Sequence, residues 1–345
     1  METIKEKPVY ILNAGQQNAF DGLEEFCLGK GNYRRALFTG YAGTGKTFTM
    51  NRIVESVMQI NRRIHFGMTA PTHKAVRVLK KNSELKKELT FGTIHSFLAL
   101  KEVINDKGEI EYKPDFNPNR ERKIDGIHIL IVDESSMLQD KLFDYIEDEM
   151  RSNPVLRVIY MGDPLQIPPV RGKEEQAKEK KTGHRDAIPF QSSRQTAHKI
   201  VVFSLVEPQR QAADSPIILY AHAIREQHTK QHVVFDFKPE YVNALQLLPR
   251  NREALTAIFS ELFKTNNFQE DTDFAKVICW RNETANYFNN LIRTIMYEQT
   301  DLPKLIVGEK MIMDAAFTKG EKIIIPNNED VVVKEIEVKT IPISY

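Results

Sequence analysis

Gly40–Thr47 reads GYAGTGKT, a G-x-x-x-x-G-K-T octet. The apolar run Ala36–Thr39 (ALFT) precedes it, and Met50, Ile53, Val54 and Val57 follow at helical spacing. A strand that turns through such an octet into a helix is the setting in which the motif holds phosphate. Glycines at 43 and 45 permit positive φ, so the backbone N–H groups of Gly43, Thr44 and Gly45 can turn toward phosphate oxygens. The helix N-terminus adds a favourable dipole. Lys46 is expected on the β- and γ-phosphates of ATP, and the Thr47 hydroxyl on Mg²⁺.

The same alternation continues outward from the octet. Ile64–Thr69 (IHFGMT) reads as a strand and Ala75–Leu79 begins a helical face. Ile127–Val132 (IHILIV) is a continuous apolar run, as in a strand buried on both faces. Leu142–Met150 is helical and Val155–Tyr160 is again a strand. Strands alternating with helices predict a parallel, doubly wound α/β sheet. Ligands of such sheets lie beyond the carboxyl ends of the strands. Asp133 and Glu134 follow IHILIV directly, which suits Asp133 to the Mg²⁺ shell and Glu134 to polarising an attacking water. Met161–Val170 (MGDPLQIPPV) follows the next strand, with three prolines and a single Gln, Gln166.

Composition bounds the classes. At 345 residues the chain is long enough for two domains. A net charge of +1 means that any nucleic-acid contact must come from a local groove rather than bulk charge. Cys27 and Cys279, far apart, form neither a disulfide framework nor a CxxC metal site, and fit a reducing cytoplasm. No apolar run suits a membrane span, and METIKEKPVY lacks the apolar region of a signal peptide. Two segments interrupt the α/β rhythm. Lys101–Lys123 reads as a β-hairpin around an Asp-Lys-Gly turn. Gly172–Lys199, with seven Lys or Arg against four Asp or Glu, reads as a mobile polar surface insertion. Farther on, Lys276–Trp280 (KVICW) is expected as a strand and Asn282–Met296 as a helix. The pattern then changes to β-like alternation (KIIIPNNEDVVVKEIEV).

Further stretches carry a resemblance. They are LNAGQ (Leu12–Gln16), APTHK (Ala70–Lys74), GTIHSF (Gly92–Phe97), the DESSM box, GDPLQIPPV, LVEPQR (Leu205–Arg210) and IVGE (Ile306–Glu309). In this order they resemble superfamily 1 DNA helicases of the 5′-to-3′ branch, which includes RecD-like and phage Dda helicases. The likeness runs from about residue 10 to about residue 315. It implies two RecA-like P-loop NTPase domains: residues 1–204, with the hairpin 98–123 and the insertion 172–199, and residues 205–314. The second is incomplete, and 315–345 begin an SH3-like β insertion. No TxHxxQG-like stretch occurs, so the chain is expected to lack the last motifs of the family, as a fragment or a shortened form.

The resemblance also implies roles. Gln16 would read adenine, an amide matching its N6 and N7; by itself it reads as an exposed helix-start Gln. Pro71, Thr72, His73, Thr93, His95 and Ser96 would line a single-strand path; His95 reads equally as a packed, hydrogen-bonded histidine. Phe97 and Tyr112 would stack on bases or, equally, pack in the core. Gln166 would sense the γ-phosphate, and Arg210 would neutralise transition-state charge. The implied activity is ATP-dependent unwinding by a monomer on single-stranded DNA and its junctions with duplex, in a bacterial or phage-infected cytoplasm. A single-strand-binding protein or a replisome component would be a partner, and replication, recombination and repair helicases share these motifs. The alternatives are a truncated or non-motor, ATP-gated single-strand-binding protein, and a P-loop ATPase acting on protein. APTH, TIHS and GDPLQ argue against the last.

Overall fold

The computed structural model describes residues 11–104, 110–115, 117, 121–169, 186–207, 216–227, 251–271, 273–313, 317–319, 322–325 and 329–337. The chain forms two compact units, Met1–Ala244 and Leu245–Tyr345.

The first unit is built on one six-stranded sheet. Its strands are β1 (Arg35–Gly40), β2 (Phe66–Ala70), β3 (Thr90–Thr93), β6 (Ile129–Val132), β7 (Arg157–Gly162) and β8 (Ile200–Leu205), in the spatial order β3-β2-β6-β7-β1-β8. Every pairing is parallel. β4 (Leu100–Ile104) and β5 (Ile110–Pro114) form the expected antiparallel hairpin outside it.

Alternation along each strand explains why the sheet is covered on both faces. Ala36 and Phe38, Ile129 and Ile131, and Ile159 and Met161 enter one core, with helices α1 (Ala14–Cys27), α2 (Lys46–Ile60) and α3 (His73–Asn82). Leu37, Leu130, Val132, Val158 and Tyr160 enter the other, with α4 (Ile94–Phe97) and α5 (Asp140–Ser152). Each fully buried large side chain contributes roughly 1.5–3 kcal/mol. The pairings align one lateral row across all six strands: Gly92, Thr69, Val132, Tyr160, Leu37 and Val202. This is an α/β RecA-like P-loop fold.

Three expectations are corrected. Phe97 is 0% exposed and lies in the second core, so it offers no face to a base. Its ring packs over Gly67, where a Cβ would come within 2.4 Å of it. In Gly172–Lys199, the described residues 186–199 do not form a purely polar loop, because Ala187 and Ile188 are buried in the second core. Lys276–Trp280 is not a strand, and Ile278 and Trp280 are 95% and 92% exposed. Apolar, β-branched composition raised that expectation, but no strand among the described residues pairs with the segment.

The second unit has its own small core. Phe259 and Phe263 of helix Arg252–Phe263 pack with Leu291 and Ile295 of helix Asn282–Tyr297. Two antiparallel pairs follow: Lys310–Ile312 with Asp330–Val332, and Phe317–Lys319 with Lys322–Ile325.

One ion pair ties α5 to the start of β1. The Arg35 guanidinium donates through Nε to Glu147 Oε1 at 2.6 Å and through Nη2 to Oε2 at 2.5 Å. Burial alone would lower the Arg35 pKa, but the Glu147 partnership outweighs it and raises it. Glu147→Ala leaves this cation without its partner and is expected to cost about 3 kcal/mol in urea denaturation, whereas Glu147→Gln keeps an acceptor and loses less. Equal losses in the two variants would show that the charge pair is not what holds the contact.

Candidate nucleotide site

The phosphate loop leaves β1 at Gly40. Gly43 and Gly45 have φ of 82° and 85°, in the left-handed region where a side chain is strained. At Gly40 a Cβ would sit 2.6 Å from Thr44 Oγ1. Thr44 Oγ1 donates to Tyr41 O at 2.8 Å, closing the loop on itself. Lys46 and Thr47 open α2. Lys46 Nζ donates to the Gly40 and Tyr41 carbonyls. Burial lowers its pKa, while Asp163, Asp133 and Glu134 act in the opposite direction.

Those three carboxylates arrive from neighbouring strands. Asp133 follows β6, and its backbone N–H donates to Thr69 O at 2.8 Å. Burial and the adjacent Glu134 raise its pKa to about 6. Glu134 has φ 52° and ψ 35°, a left-handed conformation uncommon for a residue with a side chain, and caps a short turn Ser135–Met137. Backbone cost at such a position is characteristic of sites where a side chain must be aimed.

Asp163 follows β7 and organises the proline-rich loop. Its Oδ1 accepts from Leu165 N at 3.0 Å and its carbonyl from Gln166 N at 3.1 Å. The stiffness of MGDPLQIPPV therefore comes from an Asp-capped turn as well as from its prolines. Gln166 is exposed, with Oε1 3.5 Å from Ser136 Oγ in the loop after Glu134.

Gln16 lies beside the loop but is 1% exposed. Its Nε2 donates to Thr44 O at 3.1 Å, and its Oε1 accepts from Asn13 N at 3.2 Å in a capping box at the start of α1. The amide nitrogen thus ties the phosphate loop to the start of α1, where the amide oxygen is held. Asn13 and Gln16 have the spacing of that box, which is the signal for this local role.

The residues expected along a single-strand path follow β2 and β3, on the other side of β6. Thr72 and Thr93 cap α3 and α4, accepting from Ala75 N at 3.2 Å and Ser96 N at 3.3 Å. Ser96 Oγ donates to Thr93 O at 2.8 Å. These hydroxyls hold helix starts, while Pro71 and His73 flank Thr72 at the end of β2. The His95 and Tyr112 rings meet at 4.2 Å between centroids. A cavity of about 200 Å³ is lined by residues of both groups, Pro71, His95 and Tyr112 together with Asp133 and Glu134. Arg210 lies outside the described residues. Arg225, on helix Pro216–Gln227, was not indicated by any motif, yet its Nη1 and Nη2 reach Asp163 Oδ1 and Oδ2 at 3.0 and 2.5 Å.

Thr47 and Asp133 suit a Mg²⁺ site of the usual kind, in which one or two protein oxygens are joined by water and phosphate. The fit rests on Asp133, a buried carboxyl whose charge a cation would stabilise. Among the described residues, no group of three or more His, Cys, Asp or Glu gathers to hold a metal by itself. Among them too, no helix is long and apolar enough to cross a membrane.

Comparison with known proteins is consistent with this geometry. Residues 30–172 match the family model of an AAA domain. An uncharacterised protein of Acanthamoeba polyphaga mimivirus is 21% identical over 330 residues, covering 92% of this chain and 62% of that protein. The ATP-dependent DNA helicase PIF1 of Saccharomyces cerevisiae is 29% identical over 148 residues, 40% of this chain and 16% of the yeast protein. The chain therefore spans less than two thirds of the length of these relatives. A solved structure of Bacteroides Pif1 bound to single-stranded DNA superposes with a TM-score of 0.53 at 17% identity, covering 95% of this chain and 70% of that one. A structure of Pif1 helicases at forked duplex DNA gives the same TM-score and identity, with 72% of that chain covered. The structural likeness establishes the shared fold.

The raised pKa of Asp133 has a consequence for stability. The folded chain holds this proton more tightly than the unfolded chain does. Stability should therefore fall as pH rises from about 4 to about 6, by up to about 3 kcal/mol. Asp133→Asn removes that dependence. In urea with EDTA, the variant is expected to be more stable than the native chain at neutral pH and equal to it near the acid end. Equal stability at both pH values would mean that the carboxylate carries no such penalty.

Proposed function

We propose that this chain is the motor portion of an ATP-dependent DNA helicase of superfamily 1, which couples ATP hydrolysis to movement along single-stranded DNA. The observation that supports this most directly is the shared cavity. Asp133 and Glu134 line it together with Pro71, His95 and Tyr112. A chemical step at the carboxylates and a strand held at the β2 and β3 ends would thus share one wall.

In this reading the phosphate loop binds the triphosphate through its N–H groups, and Lys46 neutralises the terminal phosphates. Mg²⁺, when bound through Thr47 and Asp133, supplies further charge neutralisation. Glu134 accepts a proton from the attacking water, and its fixed backbone aims the carboxylate. Gln166 offers an amide that both accepts and donates, against a water and a phosphate oxygen. Because Gln166 also reaches Ser136, its position depends on the loop that carries Glu134. The 5′-to-3′ direction and an arginine contribution from Arg210 come with the superfamily resemblance, as do an incomplete second RecA-like domain and action as a monomer.

The deciding measurements are ATP hydrolysis with and without single-stranded DNA, and unwinding of a 5′-tailed duplex. The motor reading expects stimulation together with unwinding. DNA binding without turnover would favour an ATP-gated clamp, and indifference to DNA would remove nucleic acid from the function. Glu134→Gln should lower kcat by about 10²-fold or more while nucleotide still binds, since proton transfer of this kind contributes about 10²–10⁴-fold. Gln166→Ala should retain nucleotide affinity but lose DNA stimulation, and an unchanged DNA-stimulated rate would count against its sensing role.

A further inference from the structure

Arg225 joins the phosphate loop to the loop after β7. Its guanidinium forks onto both oxygens of Asp163. Its Cζ also lies 4.8 Å from the centroid of the Tyr41 ring, and Tyr41 is the second residue of the phosphate loop. One turn earlier on the same helix, His222 meets Tyr41 edge-on at 4.3 Å. The Tyr41 hydroxyl donates to Val206 O, just beyond β8.

The electrostatics couple Arg225 to Lys46 and Asp163. Arg225 and Lys46 repel each other, which helps lower the Lys46 pKa, and Asp163 attracts both. Burial would raise the Asp163 pKa, but the Arg225 fork and the Leu165 N–H outweigh it and lower it. A terminal phosphate on Lys46 would bring new negative charge into the space where Asp163 now neutralises Arg225. A guanidinium fork fits the two oxygens of a phosphate as it fits a carboxylate, and it stays charged at all relevant pH.

We infer that Arg225 is a further contact for the terminal phosphate of a nucleoside triphosphate, and that it reaches this phosphate by exchanging away the Asp163 carboxylate. The inference rests on the ATPase reading above and adds a residue to it. The exchange has a built-in readout. Asp163 also caps the turn that carries Gln166, so the exchange alters the charge at that cap when, and only when, a terminal phosphate is present. A diphosphate lacks the oxygens that compete for Arg225. The pair therefore discriminates ATP from ADP.

The test is binding of fluorescent ADP and of a fluorescent non-hydrolysable ATP analogue to the full chain with Mg²⁺. Arg225→Ala should weaken the analogue by about tenfold or more and leave ADP within about threefold, since loss of a charged hydrogen bond is of that size. Arg225→Lys, which keeps charge but not the fork, should fall between. Equal weakening of both nucleotides, or of neither, would overturn the inference. The Asp163→Asn/Arg225→Ala double variant removes the orphaned carboxylate that could disturb the fold. Persistence of the analogue-specific defect in it supports phosphate contact, and recovery of analogue affinity shows that Arg225 serves only to neutralise Asp163. Native chain that binds neither nucleotide would bring down the ATPase reading along with the inference. Native binding with an unaffected Arg225→Ala variant would bring down the inference alone.

Discussion

The structure depends on the register of five parallel pairings. The row Gly92, Thr69, Val132, Tyr160, Leu37 and Val202 sets all strand ends at known heights. Asp133 comes one residue beyond it on β6, and Gly40 and Asp163 come three residues beyond it on β1 and β7. A one-residue slip of any strand would exchange its inward faces between the two cores, so apolar burial enforces the register. Hydrophobic packing thus delivers Lys46, Asp133 and Asp163 to one place, although none of the three contributes to that packing.

What the packing gathers is electrostatically costly. Three carboxylates and two cations surround a partly dry space, and Asp133 is held far from its ordinary pKa while Lys46 is lowered. Glu134, after β6, adds a backbone cost of its own by holding a positive φ with a side chain. Stabilising features elsewhere offset it: the two apolar cores, the Arg35–Glu147 fork, and Arg34, which donates to the Met150, Asn153 and Leu156 carbonyls at the end of α5. A site strained in this way is suited to a polyanion with its cation, because each relieves part of the local imbalance.

Much of this was legible in the residues. Strand and helix alternation gave the sheet, and the octet and the acidic end of β6 gave the candidate site, because in each case local sequence and local geometry coincide; Asp163, after β7, was not singled out by its sequence. Failures arose where tertiary context decides. Gln16 sits at a helix start, where an exposed side chain is ordinary, but the phosphate loop lies across it and turns the amide inward. Phe97 follows a polar stretch, yet Gly67 leaves room for its ring beneath β2. Val277 to Trp280 have strand composition and no partner among the described residues. Arg225 stands in HAIREQ, an unremarkable helix end. Only the packing of that helix on Tyr41 places its charge beside the phosphate loop.

The neighbouring strands β2 and β6 suggest why two kinds of contact share this fold. Asp133 N donates to Thr69 O, so the acidic strand end is hydrogen-bonded to the strand that leads into Pro71 and Thr72. Thr69 Oγ1 donates back to Ile131 O at 3.3 Å. A displacement of the β2 end by a ligand would therefore reach Asp133 through buried hydrogen bonds between adjacent strands. Gln166 adds a second route from the other side, through Ser136 to the loop that carries Glu134. Asp133 and Glu134 thus lie between one loop proposed to hold a strand and another whose shape Asp163 sets. Neither route requires a large movement, since close-packed interiors transmit small displacements rather than absorbing them.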